Sequence, residues 1–162
     1  MMESSDVIKI LEIFNSRDWS EYYDYQNFQN RKKHTWFRIN KLQEFDFVRD
    51  IITKDIKKIN KNLELSEFIT FLIYEKGDFF GKHSDKPAHI TPTPNTVLSG
   101  GYILNDNFEG GEFIIDKKKL KSEIGEIITF GRNVIHEVKT VTKGTRYSLH
   151  FSINKNTSKS LI

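Results

Sequence analysis

The sequence predicts a mainly β chain of the α+β class, in which N-terminal helices support a β-sandwich or barrel. Three observations predict it. Apolar residues step by three or four over much of the first 65 positions, apolar residues alternate in twos from residue 66 onward, and glycines punctuate that second region at frequent intervals.

Val7, Ile10, Leu11 and Phe14 recur at helical spacing, with Ser4 or Ser5 available as an N-cap. Leu42, Phe45, Val48, Ile52, Ile56, Ile59 and Leu63 then mark an amphipathic helix over 42–63, with Lys54, Lys57, Lys58 and Lys61 on or beside its wet face. Trp19, Tyr22, Tyr23, Tyr25, Phe28, Trp36 and Phe37 lie between the two helices, and core packing is the ordinary role for most of them. Beyond residue 66 the alternation predicts strands over 67–75, 79–85, 96–104, 112–116, 126–130, 134–141 and 145–153. Gly77, Gly110-Gly111, Gly125, Gly131 and Gly144 separate them. Pro87, Pro92 and Pro94 make 86–95 a stiffened loop, because proline lacks the N–H that a central strand needs. The Gly100-Gly101 pair inside a strand marks a bulge or a close approach of a cosubstrate.

Composition excludes several function classes. A chain of 162 residues fits one domain, and 37% hydrophobic with 29% charged residues is an ordinary globular balance. No apolar run approaches the roughly 18 residues of a membrane span, and the polar N-terminus does not read as a secretory signal. The absence of cysteine removes disulfides, thiolate zinc sites, iron–sulfur clusters and a cysteine nucleophile, and fits a reducing, cytoplasmic setting. A formal charge of +3 does not argue for a nucleic-acid protein. The lysine clusters at 57–58 and 117–119 read as solvated faces.

The chemistry concentrates around two of the five histidines. In His83-Ser84-Asp85, residues i and i+2 of a strand share a face, so an imidazole and a carboxylate can meet one metal. His136 sits 53 residues later on another predicted strand. Two histidines and one carboxylate from neighbouring strands form the facial triad of non-haem iron(II) oxygenases. A zinc hydrolase can use the same donor set. Arg146, ten residues beyond His136, adds a guanidinium suited to the distal carboxylate of an iron-chelated 2-oxoglutarate, for which a hydrolase has no need.

Three ordered stretches resemble the prolyl 4-hydroxylase-like branch of the Fe(II)/2-oxoglutarate-dependent dioxygenases. They are Tyr74-Glu-Lys-Gly-Asp-Phe-Phe-Gly-Lys-His83-Ser-Asp85, then Leu98-Ser-Gly-Gly-Tyr-Ile-Leu-Asn-Asp106 with Glu109-Gly-Gly-Glu112, then Gly125-Glu-Ile-Ile-Thr-Phe130 with His136-Glu-Val and Thr142-Lys-Gly-Thr-Arg146-Tyr-Ser-Leu. The resemblance covers roughly 66–153 and implies a double-stranded β-helix, or distorted jelly roll, over those residues. Residues 1–65 then supply supporting helices, and 1–162 form a single, free-standing oxygenase domain. It implies hydroxylation of an unactivated C–H bond coupled to decarboxylation of 2-oxoglutarate to succinate, with O2 as co-reactant and ascorbate as reductant. It assigns His83, Asp85 and His136 as iron ligands and Arg146 as the cosubstrate anchor, and places Tyr74 and His150 in the cosubstrate pocket. Ile103 stands where many relatives carry an aromatic residue, and Tyr102 would replace that ring only in a shifted register.

The substrate expected from the resemblance is a prolyl residue in a peptide or protein. A hydroxylase of free amino acids or other small molecules using the same iron chemistry is the alternative. Relatives that demethylate nucleic acids carry a second arginine six residues after the first, where this chain has Ser152. The aromatic stretch 19–37 offers rings on which a polyproline segment would stack. Loop 86–95, with His89, reads as a lid over the iron site or as a rigid connector, while His34 has no partner pattern.

Overall fold

A computed structural model describes residues 1–26, 31–85 and 95–156, with side chains described throughout except at 25–26. The elements in order are α1 (Ser4–Asn15), β1 (Asp24–Gln26), β2 (Lys32–Arg38), α2 (Asp46–Ile59), β3 (Leu63–Tyr74), β4 (Phe79–His83), β5 (Thr96–Ile103) and β6 (Glu109–Gly110). There follow β7 (Phe113–Ile115), β8 (Lys118–Lys119), β9 (Ile128–Gly131), β10 (His136–Val138), β11 (Val141–Lys143) and β12 (Arg146–Lys155).

The strands pair antiparallel in the order β8-β7-β10-β4-β2-β3-β12-β5-β9, with β1 beside β2 and a separate β11-β6 pair. The long sheet curls through β2, whose residues 32–33 pair with β4 while 35–38 pair with β3. Two facing layers result, β3-β12-β5-β9 and β4-β10-β7-β8, and the fold is the jelly roll of a double-stranded β-helix.

The helices cover the outer face of the first layer. Phe14 of α1 stacks on Phe71 at 4.8 Å and also meets Phe37 and Tyr147. Val48, Ile52 and Ile56 of α2 are buried in the same core. Tyr102 of β5 donates to the buried Asp55 carboxylate of α2 at 2.8 Å, tying helix to sheet. The Met1 ammonium pairs with the other oxygen of that carboxylate at 2.6 Å.

Several expected boundaries move. α1 begins after Glu3, whose N–H donates to the Asp6 carboxylate at 3.2 Å, so Ser4 and Ser5 lie inside the helix rather than capping it. α2 is shorter than 42–63: a 3-10 turn fills Gln43–Phe45, and Asn60 leaves helical geometry at φ −159°, ψ 124°. The Asn60 side chain then accepts from Asn62 N–H at 2.8 Å, turning the chain into β3, where Leu63 already belongs. Residues 1–65 are also more than helical support, because β2 is an interior strand of the sheet. The expected strand 134–141 divides into β10 and β11, and β8 returns from β7 through Asp116-Lys117, both at positive φ. Trp19 and Phe37 are buried core residues packed on one another and on Phe45. Phe28, His89 and loop 86–95 apart from Asn95 lie outside the described residues.

Candidate metal centre and cosubstrate cavity

His83 and His136 face each other directly in the β4–β10 register, so the hydrogen-bond ladder brings together residues far apart in sequence. Asp85 falls just past the end of β4, contrary to the expected strand 79–85. Its backbone is held instead by Arg132, whose carbonyl accepts Asp85 N–H at 3.0 Å and whose guanidinium donates to the Asp85 carbonyl at 3.3 Å. Asp85 Oδ1 lies 3.6 Å from His83 Nε2 and 3.3 Å from His136 Nε2. One ligand atom from each of the three residues fits within a 4.8 Å cluster.

The orientation of both rings follows from their other nitrogens. His83 Nδ1 is 2.7 Å from the Gly81 carbonyl, and His136 Nδ1 is 2.9 Å from the Val134 carbonyl. A carbonyl only accepts, so each Nδ1 carries a proton and each Nε2 is the ring nitrogen turned toward Asp85. Burial pushes the His83 imidazole down to about 4, against the raising effect of the Gly81 carbonyl, and so keeps it neutral as a metal ligand must be. Burial acts on His136 in the same sense, but hydrogen bonding and charge from Asp85 outweigh it and raise its pKa. Burial would also raise Asp85; hydrogen bonds from His136, His150 and Ser99 overcome it and hold the carboxyl well below the usual range. Ser99 donates to Oδ2 at 2.5 Å, leaving Oδ1 for the histidine side. This N, N, O donor set suits iron(II).

The cavity between the two layers runs from this cluster to Arg146. Along β12 the alternation turns Arg146, Ser148 and His150 inward, while Leu149 and Phe151 enter the core under the helices. Arg146 is 4% exposed, donates from Nε to the Gly111 carbonyl and from a terminal nitrogen to Ser148 Oγ, each at 3.0 Å, and lies 5.3 Å from the Tyr74 ring centroid. Among the described residues no carboxylate forms an ion pair with it. Burial lowers the Arg146 pKa, yet a guanidinium does not give up its proton in a protein, so a cation stands buried beside the cavity. Gly111 makes room for it: at φ +65°, a Cβ there would approach Arg146 Cδ to 3.1 Å.

Tyr74 lines the same cavity, and burial raises its pKa, so its hydroxyl remains a donor. His150 Nε2 is 3.5 Å from Asp85 Oδ2, which sets it at the carboxylate end of the cavity while Arg146 occupies the other end of the same strand face. Ile103 lines the cavity as well, and the Tyr102 hydroxyl points to Asp55 instead, so the register does not let it replace the missing ring. The Gly100-Gly101 pair packs closely on β12: a Cβ on Gly101 would come within 2.5 Å of the Leu149 carbonyl oxygen, and one on Gly100 would meet the Phe151 ring. Ser99 and Arg132 escaped the sequence reading, whereas Ser148 was expected on the strand face between Arg146 and His150. Ser99 was detectable in principle, since alternation in β5 places it on the face of Gly101 and Ile103, whereas the contact from Arg132 crosses between loops and has no sequence period.

Residues 69–154 match the model of the 2OG-Fe(II) oxygenase superfamily, more than half of the chain. The chain belongs to that superfamily. Within it, the oxygenase is 32% identical over 83 residues to a PKHD-type hydroxylase of Hyphomonas neptunium, a match covering 45% of this chain and 37% of that protein. It is 33% identical over 92 residues to a PKHD-type hydroxylase of Pseudoalteromonas atlantica, covering 49% and 40% respectively. The matched stretch thus spans about two-fifths of the length of these relatives. The fold is similar to that of a Pseudomonas putida prolyl-4-hydroxylase, with a TM-score of 0.73 at 17% identity over 95% of this chain and 88% of that one. It is also similar to a Trichoplax adhaerens prolyl hydroxylase solved with a hypoxia inducible factor peptide fragment, with a TM-score of 0.69 at 17% identity over 98% and 80%. No helix among the described residues is long and apolar enough to cross a membrane.

Proposed function

We propose that residues 1–162 act as one oxygenase domain that hydroxylates prolyl residues in a peptide or protein, converting 2-oxoglutarate and O2 to succinate and CO2. The observation that carries the reading is Arg146, a buried cation without a carboxylate partner among the described residues, facing the His83–Asp85–His136 cluster across one cavity. A dicarboxylate chelated at the cluster would supply an anion for Arg146. The donor set fits iron(II), which with 2-oxoglutarate and O2 supplies the oxidant for C–H hydroxylation.

The chain's own residues would do the rest. The Nε2 atoms of His83 and His136 and Oδ1 of Asp85 would hold the metal, with the Gly81 and Val134 carbonyls and Ser99 fixing their orientation. Arg146 would take the distal carboxylate, Ser148 would hold the guanidinium in place, and Tyr74 would donate its hydroxyl to the cosubstrate. Leu72, Phe80, Phe113 and Phe130 make the remaining walls apolar, which excludes water from the reacting groups. His150 would bear on Asp85 Oδ2 from the cavity side, and ascorbate as reductant belongs to the same proposal. The relatives named as hydroxylases and the peptide-bound neighbour support a prolyl substrate.

The test is incubation of the iron-loaded protein with 2-oxoglutarate, ascorbate and proline-containing peptides, reading succinate release and the gain of one oxygen in peptide mass. Succinate coupled to peptide oxidation is expected. Oxidation of free amino acids with no peptide oxidation would overturn the substrate class.

A further inference from the structure

A second depression of about 370 Å³ opens beside the metal cavity and shares two of its walls, Phe80 and His83. Its other lining includes Arg31, Lys32 and Lys82, with Ile135, 51% exposed, at its edge. Phe80 stacks on His83 with ring centroids 3.6 Å apart and planes 12° from parallel. Lys32 Nζ lies 5.0 Å from the Phe80 centroid, so cation, phenyl ring and proposed iron ligand form a continuous series from groove to cavity.

None of the three cations forms an ion pair among the described residues, whereas Lys33, next in sequence to Lys32, pairs with Asp78 at 3.7 Å. Burial lowers the Lys32 pKa, outweighing the raising field of Asp24. The segments outside the description, 27–30, 86–94 and 157–162, contain no Asp or Glu that would neutralise the groove. Three like charges gathered beside an active cavity repel one another and raise the local concentration of anions. This is a feature of substrate recognition more than of stability, because complementary rim charges act on encounter and selection.

We infer that the groove of Arg31, Lys32 and Lys82 receives carboxylates of the substrate, so that the target is an acidic peptide segment whose Asp or Glu residues flank the reacting residue. The inference rests on the oxygenase reading of the adjoining cavity and adds the chemical class of its substrate. Chain passing along the groove would meet the cations first and reach His83 next. A neutral or basic flank would leave the cations unpaired or repelled.

The test is fluorescence anisotropy with the full chain loaded anaerobically with iron(II) and 2-oxoglutarate. Three labelled peptides of one length and one central proline carry Glu, Ala or Lys flanks. The Glu peptide should bind about tenfold more tightly than the Ala peptide, equivalent to ~1.4 kcal/mol, and the Lys peptide most weakly. Lys82→Glu should cancel or reverse that order, Arg31→Glu should do the same independently, and salt should weaken the preference in the wild type. Circular dichroism identifies a variant that has failed to fold, and the salt series on the wild type stands without either variant. Equal binding of the three peptides, binding of none, an order unchanged in both folded variants, or tighter binding of a single-stranded oligonucleotide than of any peptide overturns the inference. The absorption band of a chelated 2-oxo acid in the same samples reports separately on the oxygenase reading.

Discussion

At Asp85 the two carboxylate oxygens have different neighbours, and the site depends on that division. Oδ1 looks toward both imidazoles, while Oδ2 accepts from Ser99 and faces His150. Ser99→Ala should therefore lower iron affinity by about ten- to a hundredfold, as loss of a ligand's orienting partner commonly does, when measured by competition with a chelator. Unchanged affinity would mean that His150 at Oδ2 and the backbone contacts from Arg132 suffice to orient Asp85. His136→Ala should abolish iron binding and 2-oxoglutarate turnover, and retention of both would remove the triad. Arg146→Ala should spare iron but weaken 2-oxoglutarate about a hundredfold, since a charge-assisted pair of hydrogen bonds is lost at a cost of roughly 3 kcal/mol. An unchanged cosubstrate affinity would place the anchor elsewhere.

Among the elements, β12 and β5 carry the most consequence. β12 separates its two faces cleanly, with Arg146, Ser148 and His150 toward the cavity and Tyr147, Leu149 and Phe151 toward the helices. β5 does the same, turning Tyr102 to Asp55 while Ser99 reaches Asp85. Tyr102→Phe should thus cost about 1–3 kcal/mol in urea unfolding, because it leaves a buried carboxylate short of a donor, and should not change 2-oxoglutarate affinity. A loss of cosubstrate affinity without a loss of stability would reverse the assignment of its face. These alternations were legible in the sequence because period two survives wherever one face is buried. The pairing of His83 with His136 was legible only as residue types on two strands, since register is not written in either strand alone. β2 was hidden for a physical reason: Lys32, Lys33 and Arg38 interrupt its apolar pattern, and its position is set by pairing with β3 on one half and β4 on the other. The end of α2 was misplaced because Leu63 continues the helical spacing after Asn60 has already turned the chain.

Across the whole molecule, the proposed ligands His83 and His136 belong to one layer of the jelly roll and Arg146 to the other. A dicarboxylate held at both ends would tie the layers together, so 2-oxoglutarate should stabilise the iron-loaded protein beyond iron alone. A ligand at a hundred times its Kd adds about 2.7 kcal/mol, visible as a raised thermal midpoint under anaerobic conditions. Arg146→Ala should remove most of that increment at the same ligand concentration. An equal increment in the variant would mean that the cosubstrate does not span the layers. The measurement that tests the central claim most directly is an anaerobic titration of the metal-free protein with iron(II) and 2-oxoglutarate, followed by visible absorption. The site described here predicts the charge-transfer band of a chelated 2-oxo acid, with the saturating concentration of 2-oxoglutarate rising about a hundredfold in Arg146→Ala. Iron binding with no such band would contradict it, leaving a metal centre that serves other chemistry.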